Sequence, residues 1–153
     1  VAIGFEALQR NTTGQKNVAI GAQSGYSNTT GVQNTSVGHE ALEANTTGYR
    51  NTALGDSSLK INSNGFENTG IGVYSLDANT TGDRNTAVGV NTLSTNTTGS
   101  NSTAIGVNAL YANTSGYENT AVGKDALLSN SSGYQNTSRQ HRTLGSNTTG
   151  SKQ

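Results

Sequence analysis

The tetrapeptide N-x-[TSN]-G returns every 17 residues without a slip, at Asn11, Asn28, Asn45, Asn62, Asn79, Asn96, Asn113, Asn130 and Asn147. Nine units of 17 account for all 153 residues. Such strict self-similarity points to a repeat architecture in which each unit packs on its neighbours. A conventional globular core is a poor alternative, because 30% of the chain is hydrophobic against about 45–50% in ordinary domains. Glycine, Asn, Thr and Ser in such amounts would suggest disorder were they not arranged in columns.

Counted from the Asn, a unit reads N-T-T-G-x-x-N-T-A-[IVL]-G-x-x-[AS]-L-x-x, as in residues 79–95. Column ten holds Ile3, Ile20, Val37, Leu54, Ile71, Val88, Ile105 and Val122, and column fifteen holds Leu8, Leu42, Leu59, Leu76, Leu93, Leu110, Leu127 and Leu144. These are the predicted core ladders. Two glycines and several Asn and Thr per unit disfavour helix. The run Thr86, Ala87, Val88, closed by Gly89, predicts a strand whose first and third residues point inward and whose Ala faces solvent. A second short strand is expected around Ala109 and Leu110.

The expected fold is therefore all-β: a parallel β-solenoid of nine 17-residue coils, residues 1–153 forming a single repeat domain. Coils stacked at about 4.8 Å would span roughly 43 Å. Glycines at columns four and eleven should supply positive φ or close backbone approach. The Asn at columns one and seven should bond the turns and stack as amide ladders. Column six alternates in sign through Arg50, Glu67 and Arg84, and column five pairs Tyr49 with Phe66 and Tyr117 with Tyr134. Both patterns fit neighbours on successive coils.

Nine basic and nine acidic residues balance, so no positive field recommends nucleic acid or an anionic membrane. There is no cysteine, hence no disulfide and no thiolate chemistry. No apolar run approaches the roughly 20 residues of a membrane helix. His39 and His141 share column twelve but lie six coils apart, roughly 29 Å, too far to share a metal. Asp56, Asp77, Asp83 and Asp125 follow no calcium-binding spacing, and Glu40 with Glu43 reads as a solvated edge rather than a catalytic pair. Ile105, Gly106 and Ala109 fit a hexapeptide-acyltransferase pattern only once per coil. No catalytic, cofactor or metal residue is expected, and the chain is read as a non-enzyme.

The sequence does offer candidate N-glycosylation acceptors in N-x-[ST] at Asn11, Asn28, Asn34, Asn45, Asn79, Asn96, Asn101, Asn113, Asn130, Asn136 and Asn147. Asn-Thr-Thr-Gly is equally a turn sequence. Two units depart from the pattern. Gly25 stands in the Leu column, and unit eight places Arg139 and Gln140 at the aliphatic and glycine columns, followed by His141 and Arg142. Ser151, Lys152 and Gln153 followed by Val1, Ala2, Ile3 and Gly4 reproduce the internal join at Gln15 to Gly21, which leads to the expectation of a segment continued head to tail within a longer fibre.

The pentapeptides Asn17 to Gly21, Asn85 to Gly89 and Asn119 to Gly123 resemble the head repeats of YadA-like trimeric autotransporter adhesins, over eight of nine units. Related repeats look familiar from phage and viral tail fibres. The resemblance implies a left-handed β-roll, a trimer of rolls, an extracellular, cell-surface or virion location, and an exposed head that binds a surface or glycan ligand. Together these expectations describe a structural or adhesive fibre that self-associates laterally or end to end. Ice binding is a further class for solenoids with regular Thr arrays, and an inward-pointing Thr column weighs against it here.

Overall fold

The computed structural model describes residues 1–140 and 147–151; Leu144, His141, Arg142, Lys152 and Gln153 lie outside the described residues. Nine strands of two or three residues recur once per unit: β1 (Ala2–Ile3), β2 (Val18–Ile20), β3 (Thr35–Val37), β4 (Thr52–Leu54), β5 (Thr69–Ile71), β6 (Thr86–Val88), β7 (Thr103–Ile105), β8 (Thr120–Val122) and β9 (Thr137–Ser138). They form one parallel sheet in sequence order. Each residue pairs with its equivalent 17 positions on, as Thr86 with Thr103 and Val88 with Ile105. The chain is a β-solenoid, as the repeat predicts, and no helix occurs among the described residues.

The strands face the opposite way from the sequence expectation. Column nine is the inward one: Ala19, Ala53, Ala87, Ala104 and Ala121 are wholly buried. The threonines of column eight and the aliphatics of column ten, both expected to point inward, point outward, and Leu54 remains 46% exposed. The reason is the thinness of the coil. Behind column nine stands column fourteen, close enough that the Ser24 hydroxyl donates to Ser36 Oγ at 2.7 Å. A Cβ placed on Gly70 would sit 2.7 Å from Ser58 Oγ and 3.0 Å from Ser75 Oγ. Only Ala, Ser or Gly fits between these walls, so the branched residues of the strand have nowhere to go but out.

The second expected strand is absent; residues 107–112 form turns. Their geometry explains why Leu is inward there. Leu42, Leu59, Leu76, Leu93, Leu110 and Leu127 all adopt φ of 52° to 54°, a conformation that costs roughly 1–2 kcal/mol for a residue with a Cβ. Each is nevertheless buried to 1% exposure or less, and burial of a Leu side chain contributes about 1.5–3 kcal/mol, enough to offset the strain. Gly25 takes the same left-handed conformation (φ 60°) without a side chain. It leaves a small cavity of about 10 Å³ between Leu8 and Leu42.

Most of the other buried polar side chains are Asn amides, with Ser and Thr hydroxyls beside them. Each column-one Asn donates from Nδ2 to the Oδ1 of the equivalent Asn one coil earlier, at 2.7–3.1 Å, in an unbroken series from Asn28 to Asn147. Its other N–H reaches the carbonyl of the column-four glycine in its own turn, as Asn79 to Gly82 O at 2.9 Å. Column-seven Asn forms a second ladder. Asn68 accepts from the Asn85 backbone N–H at 3.0 Å and donates to Gly82 O at 2.8 Å. Among the described residues no buried side-chain nitrogen or oxygen lacks a partner, which is what makes so polar an interior affordable.

The two glycine columns serve different ends. Gly89 in column eleven takes φ 135°, whereas a methyl on Gly82 in column four would overlap both Asn79 Oδ1 and the Gly99 carbonyl oxygen.

Candidate functional site

Among the described residues every buried polar side-chain atom has a partner, and the candidate sites lie on the surface. The most regular feature is the outward face of the sheet. Thr35, Thr52, Thr69, Thr86, Thr103, Thr120 and Thr137 stand in register on successive strands. Beside them runs column ten, where Ile20, Leu54, Ile105 and Val122 are 37–46% exposed. Past the column-eleven glycine, in the turn that follows the strand, Val73, Val90 and Val107 occupy column twelve of three consecutive coils and are also exposed. These valines stand in a column that otherwise varies, and their 17-residue spacing is the one sign of them in the sequence.

A second surface runs along columns five and six. Glu67 uses both carboxylate oxygens, one to Arg50 Nη1 at 2.9 Å on the preceding coil and one to Arg84 Nε at 3.3 Å on the following coil. Tyr49 stacks on Phe66 and Tyr117 on Tyr134, each pair with centroids 4.9 Å apart and planes within 4°. The predicted charge and aromatic ladders are therefore present. Stacking buries the ring faces against each other, so these pairs reinforce the coil spacing rather than offer a platform.

Other polar residues form local ion pairs and hydrogen bonds. His39 is exposed, with Nδ1 3.1 Å from Asp56 Oδ1. Lys60 bridges Glu40 at 2.7 Å and Glu43 at 3.6 Å, and its hydrogen bond holds the Glu40 carboxyl below the usual range. Asp77 is shifted the other way by burial, although it accepts from Ser94 Oγ at 2.7 Å. No group of three or more His, Asp or Glu able to hold a metal occurs among the described residues. Arg139 and Gln140 are exposed at the close of β9.

The sequon asparagines are distributed unevenly. Asn28, Asn45, Asn79, Asn96, Asn113 and Asn130 are buried in the column-one ladder, and Asn34 and Asn136 in the column-seven ladder. Asn11 and Asn147 are half-buried, and Asn101 is exposed. A glycan on a ladder amide would remove a donor that bonds the neighbouring coil; at Asn101 it would project into solvent.

No helix among the described residues is long and apolar enough to cross a membrane. No family model matches the chain, and neither curated proteins nor solved structures give a match.

Proposed function

We propose that this chain is a structural segment of an extracellular, cell-surface or virion fibre, and that its rods associate side by side through the outward face of the sheet. The observation that carries this reading is the strip formed by Ile71, Val88 and Ile105 with Val73, Val90 and Val107. Of these six aliphatic side chains in three consecutive coils, Ile105, Val73, Val90 and Val107 are exposed and Ile71 and Val88 half-buried, beside a row of threonines; apolar surface of this kind marks an interaction site. The thin amide interior supports the same reading, since a coil that buries one Leu and at most two Ala per turn gains stability when a neighbour covers its aliphatic flank. A three-rod bundle is the assembly that the resemblance to trimeric adhesin heads implies. Display along a rigid rod would give multivalent attachment to a surface.

Sedimentation velocity tests this directly. The intact chain is expected to sediment as a trimer, and the double variant Val88→Lys, Ile105→Lys as a folded monomer. A wild-type chain that stays monomeric at all accessible concentrations contradicts the reading.

A second reading, ice binding, is favoured by one finding: the Thr column faces outward in register rather than inward as the sequence suggested. Thermal hysteresis in a solution of the monomeric protein would support it at the expense of lateral assembly, because both use one face.

A further inference from the structure

Away from the sheet, columns thirteen, sixteen and seventeen of three successive coils enclose an open groove of about 430 Å³, lined by Asn91, Asn108, Tyr111, Ala112, Leu128 and Ser129. We propose that this groove binds a neutral linear oligosaccharide, with the Tyr111 ring as its stacking surface. The inference deepens the attachment role proposed above by naming a ligand class.

Three observations carry it. The lining mixes an aromatic ring and two apolar side chains with carboxamides and a hydroxyl, the combination that a pyranose needs: an apolar C–H face to lie on a ring, and hydrogen-bonding groups at its rim. Tyr111 is 40% exposed, and unlike the paired rings of column five it has no stacking partner among the described residues. Its backbone is fixed, since the Tyr111 N–H donates to Asn108 O at 3.2 Å and the Thr95 hydroxyl donates to the Tyr111 carbonyl at 2.6 Å.

The amides are also oriented in advance. Asn108 Nδ2 donates to Asp125 Oδ1 at 3.0 Å, which turns the Asn108 oxygen toward Asn91 Nδ2, 3.5 Å away. Asn91 Oδ1 is then left as an acceptor for a sugar hydroxyl. No lining residue carries a charge, which selects a neutral glycan over a sulfated or acidic one. The groove follows the stacking axis from coil to coil, so an extended polymer fits it better than a compact sugar.

The test is saturation-transfer NMR on the full chain with cellohexaose and with the β-1,4-linked N-acetylglucosamine hexamer, and heparin hexasaccharide as the charged comparison. At least one neutral hexamer is expected to receive saturation, with heparin receiving none. Tyr111→Ala should weaken that binding about tenfold or more, while Tyr111→Phe and Tyr117→Ala leave it within about twofold. Column sixteen carries Glu, Lys, Asp and Ser in other coils, so Tyr111→Ala is expected to fold, and circular dichroism checks this; Asn91→Leu provides a second variant in the same groove. Absence of transfer to both neutral hexamers, equal binding by Tyr111→Ala, or equal transfer to heparin each overturns the proposal. None of these outcomes bears on rod assembly, which sedimentation reads separately.

Discussion

Column one and column six are both ladders that repeat one position on every coil, yet they are built on opposite rules. Inside, the same residue recurs nine times, Asn on Asn from Asn11 to Asn147. Outside, Arg50, Glu67 and Arg84 must alternate to attract. A carboxamide is donor at one end and acceptor at the other, so identical copies stacked in register satisfy each other indefinitely. A charge is not self-complementary, and a column of identical charges repels at every step. In a solenoid whose units are nearly identical, a buried polar side chain can recur at one column on every coil when, as in column one, it can bond to a copy of itself.

The sharpest way to break this contrast is to make an interior ladder position ionic. Asn79→Asp keeps the shape but removes the donor to Asn62 Oδ1 and to Gly82 O, and leaves a buried charge without a counter-ion. A loss of about 3–5 kcal/mol at neutral pH is expected in denaturant melts. The loss should shrink as pH falls, because burial raises the carboxyl pKa in the folded state and protonation then favours folding.

A smaller effect is expected from Gly99→Ala, whose methyl would overlap Asn96 Oδ1 and Gly116 O; about 1–3 kcal/mol of destabilisation should appear as a lowered denaturation midpoint.

Column seven offers a gain instead. Ser102 interrupts that ladder, accepting from Asn119 N–H at 3.2 Å through its hydroxyl without the long amide that reaches Gly99 O from Asn85 at 2.8 Å. Ser102→Asn should restore the corresponding donor to Gly116 O and raise stability by about 1 kcal/mol. Last, Glu67→Arg would place three like charges in succession on the exposed column. About 0.5 kcal/mol should be lost at low ionic strength, most of it recovered in high salt.

Much of this architecture is legible from periodicity. The 17-residue coil, the parallel register, the column-fifteen core, the stacked aromatics, the charge alternation and the Asn ladders all follow from which residues recur at which column. The direction of the strand does not. In Thr86, Ala87 and Val88 the familiar rule sends the larger apolar residue inward, and that rule presumes an interior wide enough to receive it. Here Ala87 faces a wall of small residues and amides, and Val88 is left outside. The clue was column nine itself, which contains Ala, Ser36, Gly70 and Ser138 and nothing larger. The left-handed Leu was hidden for a different reason. Positive φ is read from Gly or Asn, and Leu110 at φ 53° is tolerated only because the completed stack buries it.

That inversion also governs the functional reading, since it turns both the Thr column and the aliphatic column toward the surface. Cysteine labelling reports on it most directly, because the natural chain contains no thiol. Ala87→Cys and Val88→Cys should be compared for their rate of reaction with a maleimide under native conditions. The account predicts rapid labelling at position 88 and protection at position 87 until the coil is unfolded. Rapid labelling at 87 with protection at 88 would contradict it and restore the inward aliphatic ladder.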